Sequence, residues 1–260
     1  MKQLKFLVAL WKANIQAAME FRAAFFTQVI FMMINNGVYF IFWVLYFDKF
    51  TEVRGWDINA MMLLFGITAS AWGIGAFFFG NFISLAEVIV GGRLDYYLSL
   101  PRPVLLHVLA SKSIGSGMGD LIYGIGSFML SGYFTPDGTL RFLLGVFAGV
   151  CIFIGFLVIV QSLSFWLGNT VALSQFALSA LLTFSLYPSA LFDATTKLVL
   201  LTLIPAALIG TIPTEFVREF SWQSALQMTA GALVFLLLSI YIFKLGLKRY
   251  ESGSAIQTEV

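Results

Sequence analysis

The chain has 260 residues, of which 60% are hydrophobic and only 11% charged, with 28 Phe and a formal net charge of +2. So apolar a composition excludes an ordinary soluble fold, and no nucleic-acid partner is expected. Hydrocarbon about 30 Å thick calls for helices of roughly 20 apolar residues; the alternating strands of about 10 residues that build an outer-membrane barrel are not found in segments such as Leu143 to Leu163.

In chain order, the first element is Met1 to Glu20. Lys2, Lys5, Lys12, Gln16 and Glu20 recur at helical spacing, while Leu4, Leu7, Trp11, Ile15 and Ala18 take another face. The pattern predicts an amphipathic helix on the inner membrane surface with Trp11 at the interface, although Asn14 falls on the wrong face. Polar residues continue past Lys5, which argues against a cleaved signal peptide. The same stretch also reads as the wet beginning of the first span.

Six spans are expected: Ala23 to Phe47, Ile58 to Phe82, Ser113 to Tyr133, Arg141 to Phe165, Thr170 to Phe192 and Ser224 to Phe243. Lys and Arg are retained on the cytoplasmic side. With both termini inside, Lys2, Lys5, Lys12, Arg22, Arg93, Arg102, Lys112, Lys244, Lys248 and Arg249 are cytoplasmic, and Lys49, Arg54, Arg141, Lys197 and Arg218 are outside.

Asn35 and Asn36, followed by Gly37, sit in the middle of the first span, where two adjacent amides need partners; they read as glue between helices or as lining of a substrate path. Trp72 lies deep in the second span, unlike Trp43, Trp56 and Trp222, which fit an outer aromatic belt, and Trp166, which fits an inner one. Core packing competes with substrate contact there. Asp120, about two turns into the third span, reads as a partner for Arg93 or Lys112 or as a substrate contact. Gly115/Gly119 and Gly145/Gly149 are small-residue pairs that permit close helix approach.

Between the second and third spans, Ile83 to Lys112 combines a helical exit, the Gly91-Gly92 break, an apolar face of Leu94, Tyr96, Tyr97, Leu98 and Leu100, and the turn Pro101-Arg102-Pro103. A short surface helix with a rigid elbow is expected, either as an interfacial turn or as a knob inserted into a partner. Before the last span, Leu198 to Pro213 is apolar but broken by Pro205, Gly210 and Pro213, and is read as a re-entrant segment on the outer face, with a tilted span as the alternative.

Chemistry is sparse. Cys151 is the single cysteine and His107 the single histidine, so neither a metal site nor a catalytic triad can be assembled. Gly91, Gly92 and Arg93 lack the rest of a phosphate loop. No cofactor is expected on this chain. Transport is therefore favoured, with an autonomous channel or secondary carrier and a membrane enzyme acting on lipid as alternatives; the lack of carboxylates at the span midpoints weighs against ion coupling.

Taken together, Ala18-Met-Glu-Phe-Arg-Ala-Ala24, Asn35-Asn-Gly37, Gly92-Arg-Leu-Asp-Tyr-Tyr-Leu-Ser-Leu-Pro-Arg-Pro103, Phe165-Trp-Leu-Gly168, Tyr187-Pro188 and Ile204-Pro-Ala-Ala207 resemble the membrane subunits of bacterial type 2 ABC exporters, in the six-span branch of about 260 residues. The resemblance covers nearly the whole chain, and the Gly92 to Pro103 string is its most specific part. It implies a single permease domain over 1–260 in the bacterial inner membrane, with an elbow helix at 1–22, a cytoplasmic coupling loop at 83–112 and an outer re-entrant segment at 198–213. It also implies a second permease subunit, identical or related, and two cytoplasmic ATPase subunits that hold the ATP and Mg. Carried over residue by residue, Arg93, Leu94, Asp95, Tyr96 and Tyr97 would dock into the ATPase, Pro101, Arg102 and Pro103 would direct the return, and Asn35, Asn36 and Trp72 would line the path.

Overall fold

A computed structural model of the chain describes residues 2–250; Met1 and residues 251–260, which the expected 1–260 domain includes, lie outside the described residues, as does the Lys2 side chain. Among the described residues the structure is helical, with no strand beyond one isolated bridge between Val53 and Trp56. Helix α1 (Lys2–Glu20) is separated from α2 (Arg22–Lys49) by a break at Phe21. Next come α3 (Ile58–Phe79), a single turn of 3₁₀ helix at Gly80–Ile83, α4 (Leu85–Val90), α5 (Leu94–Leu98) and α6 (Val104–Ala110). The second half comprises α7 (Ser116–Leu130), α8 (Pro136–Ser162), α9 (Ser164–Leu167), α10 (Val171–Ser185), α11 (Ala194–Thr202), α12 (Ala206–Ile209), α13 (Thr211–Arg218) and α14 (Trp222–Leu247).

Among the described residues four helical runs are long and apolar enough to cross a membrane, those starting at Arg22, Ile58, Pro136 and Trp222; the pair α11 and α12–α13, bent by 71°, makes a fifth if it is taken as one broken span. The third and fifth expected spans are 15-residue helices. Their shortening has local causes. Residues 112–114 are drawn out of the helix by two backbone bonds to the end of α3, Gly80 N–H to Lys112 O and Ile114 N–H to Ala76 O. At the other place Pro188, which has no N–H to continue the ladder, follows the end of α10, and only a short 3₁₀ turn succeeds it.

Helix starts are capped where the sequence offers an oxygen: Asp57 accepts from Ala60 N–H, Thr135 from Gly138 N–H, and Ser221 from Ser224 N–H. Pro136 occupies the first turn of α8, where its missing N–H costs nothing.

The core is built on α3 and α8, whose faces are largely buried, while α2 and α14 stay mostly exposed as outer helices. A second cluster, Phe40, Trp43, Trp56, Ala60, Met61, Leu64 and Phe65, joins the C-terminal part of α2 to the N-terminal part of α3. Trp43 and Trp56 are thus buried rather than displayed at the membrane surface, whereas Trp222 is 80% exposed.

Helix α3 crosses α7 at close range. A Cβ added at Gly73 would stand 2.6 Å from both the Gly117 carbonyl oxygen and the Leu121 nitrogen. Backbone meets backbone there, so only hydrogen fits. Replacing Gly73 with Val should force the helices apart at a cost of about 1–3 kcal/mol, seen as earlier thermal unfolding in detergent. Gly126→Ala, whose Cβ meets nothing within 4 Å, should leave the transition where it is.

Candidate functional site

The chain from Gly80 to Ser113 forms one knitted unit at the end of α3. Helix α4 stops at Gly91, and Gly92 takes a positive φ of 67°, a conformation that costs glycine little, so the chain turns sharply into α5. Pro101, Arg102 and Pro103, all exposed, turn it back into α6, with Pro103 just ahead of the helix, where its missing N–H is not needed.

Side chains of α5 divide by face. Leu94 is fully buried in the main core. Tyr97 is half-buried; its hydroxyl lies 2.8 Å from Ser111 Oγ and its ring meets His107 edge-on at 5.0 Å. Arg93, Tyr96 and Leu98 point out, Tyr96 being 64% exposed. Asp95 is half-covered and lies beside the hydroxyl of Tyr250, whose ring also packs edge-on against Phe165 at 6.2 Å. Burial first, and then the Asp95 carboxylate, push the Tyr250 hydroxyl up to about 12, so it remains protonated.

Asn81 stitches the way out to the way back. Its Nδ2 donates to Val108 O at 2.9 Å and to Ser111 Oγ at 2.8 Å, and its Oδ1 accepts from Ser84 Oγ. From α8, Gln161 reaches into the 3₁₀ turn, donating to Phe82 O and accepting from Ala86 N–H at 2.8 Å.

Helix α1 is part of the same unit. Trp11 Nε1 donates to Phe78 O at 2.7 Å, and Asn14 Nδ2 donates to Ala110 O and Ser113 Oγ, both at 3.1 Å. This accounts for Asn14 on the apolar face of the helix: the amide faces the return segment. The Phe6 ring meets His107 edge-on at 4.9 Å and lies under the Arg102 guanidinium at 4.7 Å.

Inside the membrane-spanning part, Asn36 Nδ2 donates to Asp120 Oδ1 at 2.7 Å, so the buried carboxylate is held by an amide on α2. Its other oxygen has no hydrogen-bond partner. Neither Arg93 nor Lys112 supplies this contact. The neighbouring Asn35 faces the open side of α2, in a surface groove of about 560 Å³ lined also by Gln28, Phe31, Met32, Ile34 and Ser116. Trp72 belongs to neither place; it is wedged between Phe82 and Phe153 at 5.4 and 5.6 Å. The structure therefore brings Asn36 to Asp120 and leaves Asn35 and Trp72 apart.

Sequence reasoning missed Asn81, Gln161, Phe6 and Tyr250. The only available signal was an amide at each end of an apolar run, Asn81 after α3 and Gln161 at the close of α8. Among the described residues no three His, Cys, Asp or Glu side chains converge as a metal site would require.

A family model described as an ABC-2 family transporter protein matches residues 31–254. No curated protein and no solved structure matches the chain.

His107 sits between Phe6 and Tyr97, 6% exposed, with its proton affinity lowered first by burial and then by the Arg102 guanidinium. The folded protein thus holds it neutral where the unfolded chain, titrating near 6.5, would take up a proton. Its contribution is complete above that value and is lost as pH falls through the lowered folded value. Thermal unfolding scans from pH 8 to pH 5 should show a drop on the acid side that is shallower in His107→Phe.

Proposed function

We propose, from the premise that this chain belongs to the ABC-2 family of transporter proteins, that it is the permease subunit of an ATP-driven exporter whose motor is a separate ATPase. As an integral membrane protein of that family it is a transporter component rather than an enzyme; the bacterial inner membrane is its proposed site. ATP and Mg belong to two cytoplasmic ATPase subunits, and a second permease completes the path.

One observation carries the reading: α5 presents Arg93, Tyr96 and Leu98 outward on a helix braced from beneath by Leu94 and Tyr97. An exposed Tyr and Arg on a fixed helix are the residue types that anchor protein contacts. The bracing means that a push on the outer face reaches α4 and α6 instead of being absorbed locally. In this reading Leu94 and Tyr97 hold the docking helix in place, Asp95 is seated by Tyr250, and Pro101, Arg102 and Pro103 set the return. Closure of the ATPase pair on ATP moves the unit and tilts the spans attached to it.

The exposed side of α2 supports the second permease. Gln28, Phe31, Asn35, Val38, Phe42 and Leu45 are all exposed and follow a three-four spacing along one stripe. An amide at mid-span facing only hydrocarbon is unfavourable, and an adjoining subunit would satisfy Asn35. The bent pair α11 and α12–α13 provides the proposed outer re-entrant region, and the apolar walls suit a hydrophobic or amphipathic cargo.

Arg93→Glu combined with Tyr96→Ala should leave membrane insertion and unfolding temperature unchanged while the ATPase no longer copurifies. Tyr97→Phe, whose hydroxyl points inward, should retain the ATPase. Normal copurification and transport in the double variant would remove the docking face from the proposal.

A further inference from the structure

Resting on that permease reading, we infer that Gln161 is the positioning residue that links movement of the cytoplasmic unit to the outer face, with α8 as the connecting rod. The second span does not run straight into α4. Its helix gives way to the 3₁₀ turn at Gly80–Ile83, and such a turn inside a long helical run marks a place where two rigid pieces can change angle. The change of helix type interrupts the regular backbone ladder, and buried backbone groups left unpaired there are unfavourable. Gln161, 1% exposed, supplies both kinds of partner from another helix: its Nε2 donates to Phe82 O in the turn, and its Oε1 accepts from Ala86 N–H in α4. One side-chain amide is therefore fixed both to the turn and to the helix that follows it.

The rest of α8 carries that attachment across the molecule. The helix has 27 residues, about 40 Å at 1.5 Å per residue. At its other half the outer broken helix lies directly on it: a Cβ at Gly145 would be 3.0 Å from Pro213, and one at Gly149 would be 3.8 Å from Ile209. With so little space between α8 and α12–α13, displacement of one displaces the other. The geometry thus assigns transmission to Gln161 and α8, and Trp72, packed on Phe82 beside the joint, steadies it.

The test places Thr214→Cys, a fully buried position on α13, in a Cys151→Ser background and reads its labelling by an impermeant maleimide in vesicles carrying the permease with its copurified ATPase. With Gln161 intact, ATP should change the labelling rate. Gln161→Met, similar in size but without the paired amide, should keep the ATPase bound and hydrolysing while the ATP-dependent change falls about ten-fold, as expected when two buried hydrogen bonds no longer hold the joint. An undiminished ATP response in Gln161→Met overturns the inference, and so does a response absent from the protein with Gln161. Failure of any ATPase to copurify with the unaltered chain would instead sink the permease reading itself. Should Gln161→Met not fold, spin labels at Glu87→Cys and Leu144→Cys with Gln161 in place decide the matter. Their separation should hold when ATP is added while the Thr214→Cys labelling rate changes; a shift beyond about 2 Å means the joint does not transmit and overturns the assignment.

Discussion

Every break in a helix that lies inside this fold must find hydrogen-bond partners for the backbone groups it frees, because hydrocarbon offers none. The protein meets that constraint with neutral side chains, threonine hydroxyls of Thr68 and Thr211 at the break after α10 and carboxamides elsewhere. Gln161 ties the 3₁₀ turn below α3 to α4, Asn81 and Asn14 hold the return segment, and Asn36 holds the buried Asp120. These groups are neutral, so they satisfy donors and acceptors without bringing a charge into an apolar interior, where each would be far less favourable.

The same constraint separates what is stiff from what turns. Where α3 meets α7, glycines let two backbones touch, and the pair acts as one block. Beyond α3 the chain changes direction repeatedly between Gly80 and Ser113, yet each turn is tied to another. Gly80 bonds to Lys112, Asn81 to Ser111, and Tyr97 to Ser111. An exposed helix on such a base can receive force, whereas the same helix on a loose loop would move alone.

Much of this was legible in the residues. Long apolar runs give the helices, the Gly91-Gly92 break and the two prolines give the turns on either side of α5, and the adjacent Asn35 and Asn36 stand out as amides within an apolar run. The imperfect register of the first helix was also visible as Asn14 on the apolar side. Its partners were not, because they lie 96 and 99 residues further along. For the same reason the α3–α7 seam was missed: Gly73 and Gly117 belong to different helices, and a search along one helix finds neither. Burial of Trp43 and Trp56 was equally hidden, since an aromatic at a helix end suits a lipid boundary and a protein core alike. Helix length failed at two spans where backbone ties and Pro188, rather than hydropathy, set the boundaries.

The attachment of α1 bears on how the protein is made. Trp11 and Asn14 bond to Phe78, Ala110 and Ser113, which follow them in the chain by 67, 96 and 99 residues. None of those partners exists until that much more of the chain has been synthesised. During that interval the helix lacks those partners, and its exposed Leu4 and Val8 are the residue types that suit a bilayer surface. Its final place is thus acquired late, when the returning segment arrives, and the leading helix serves first as a float and then as a latch.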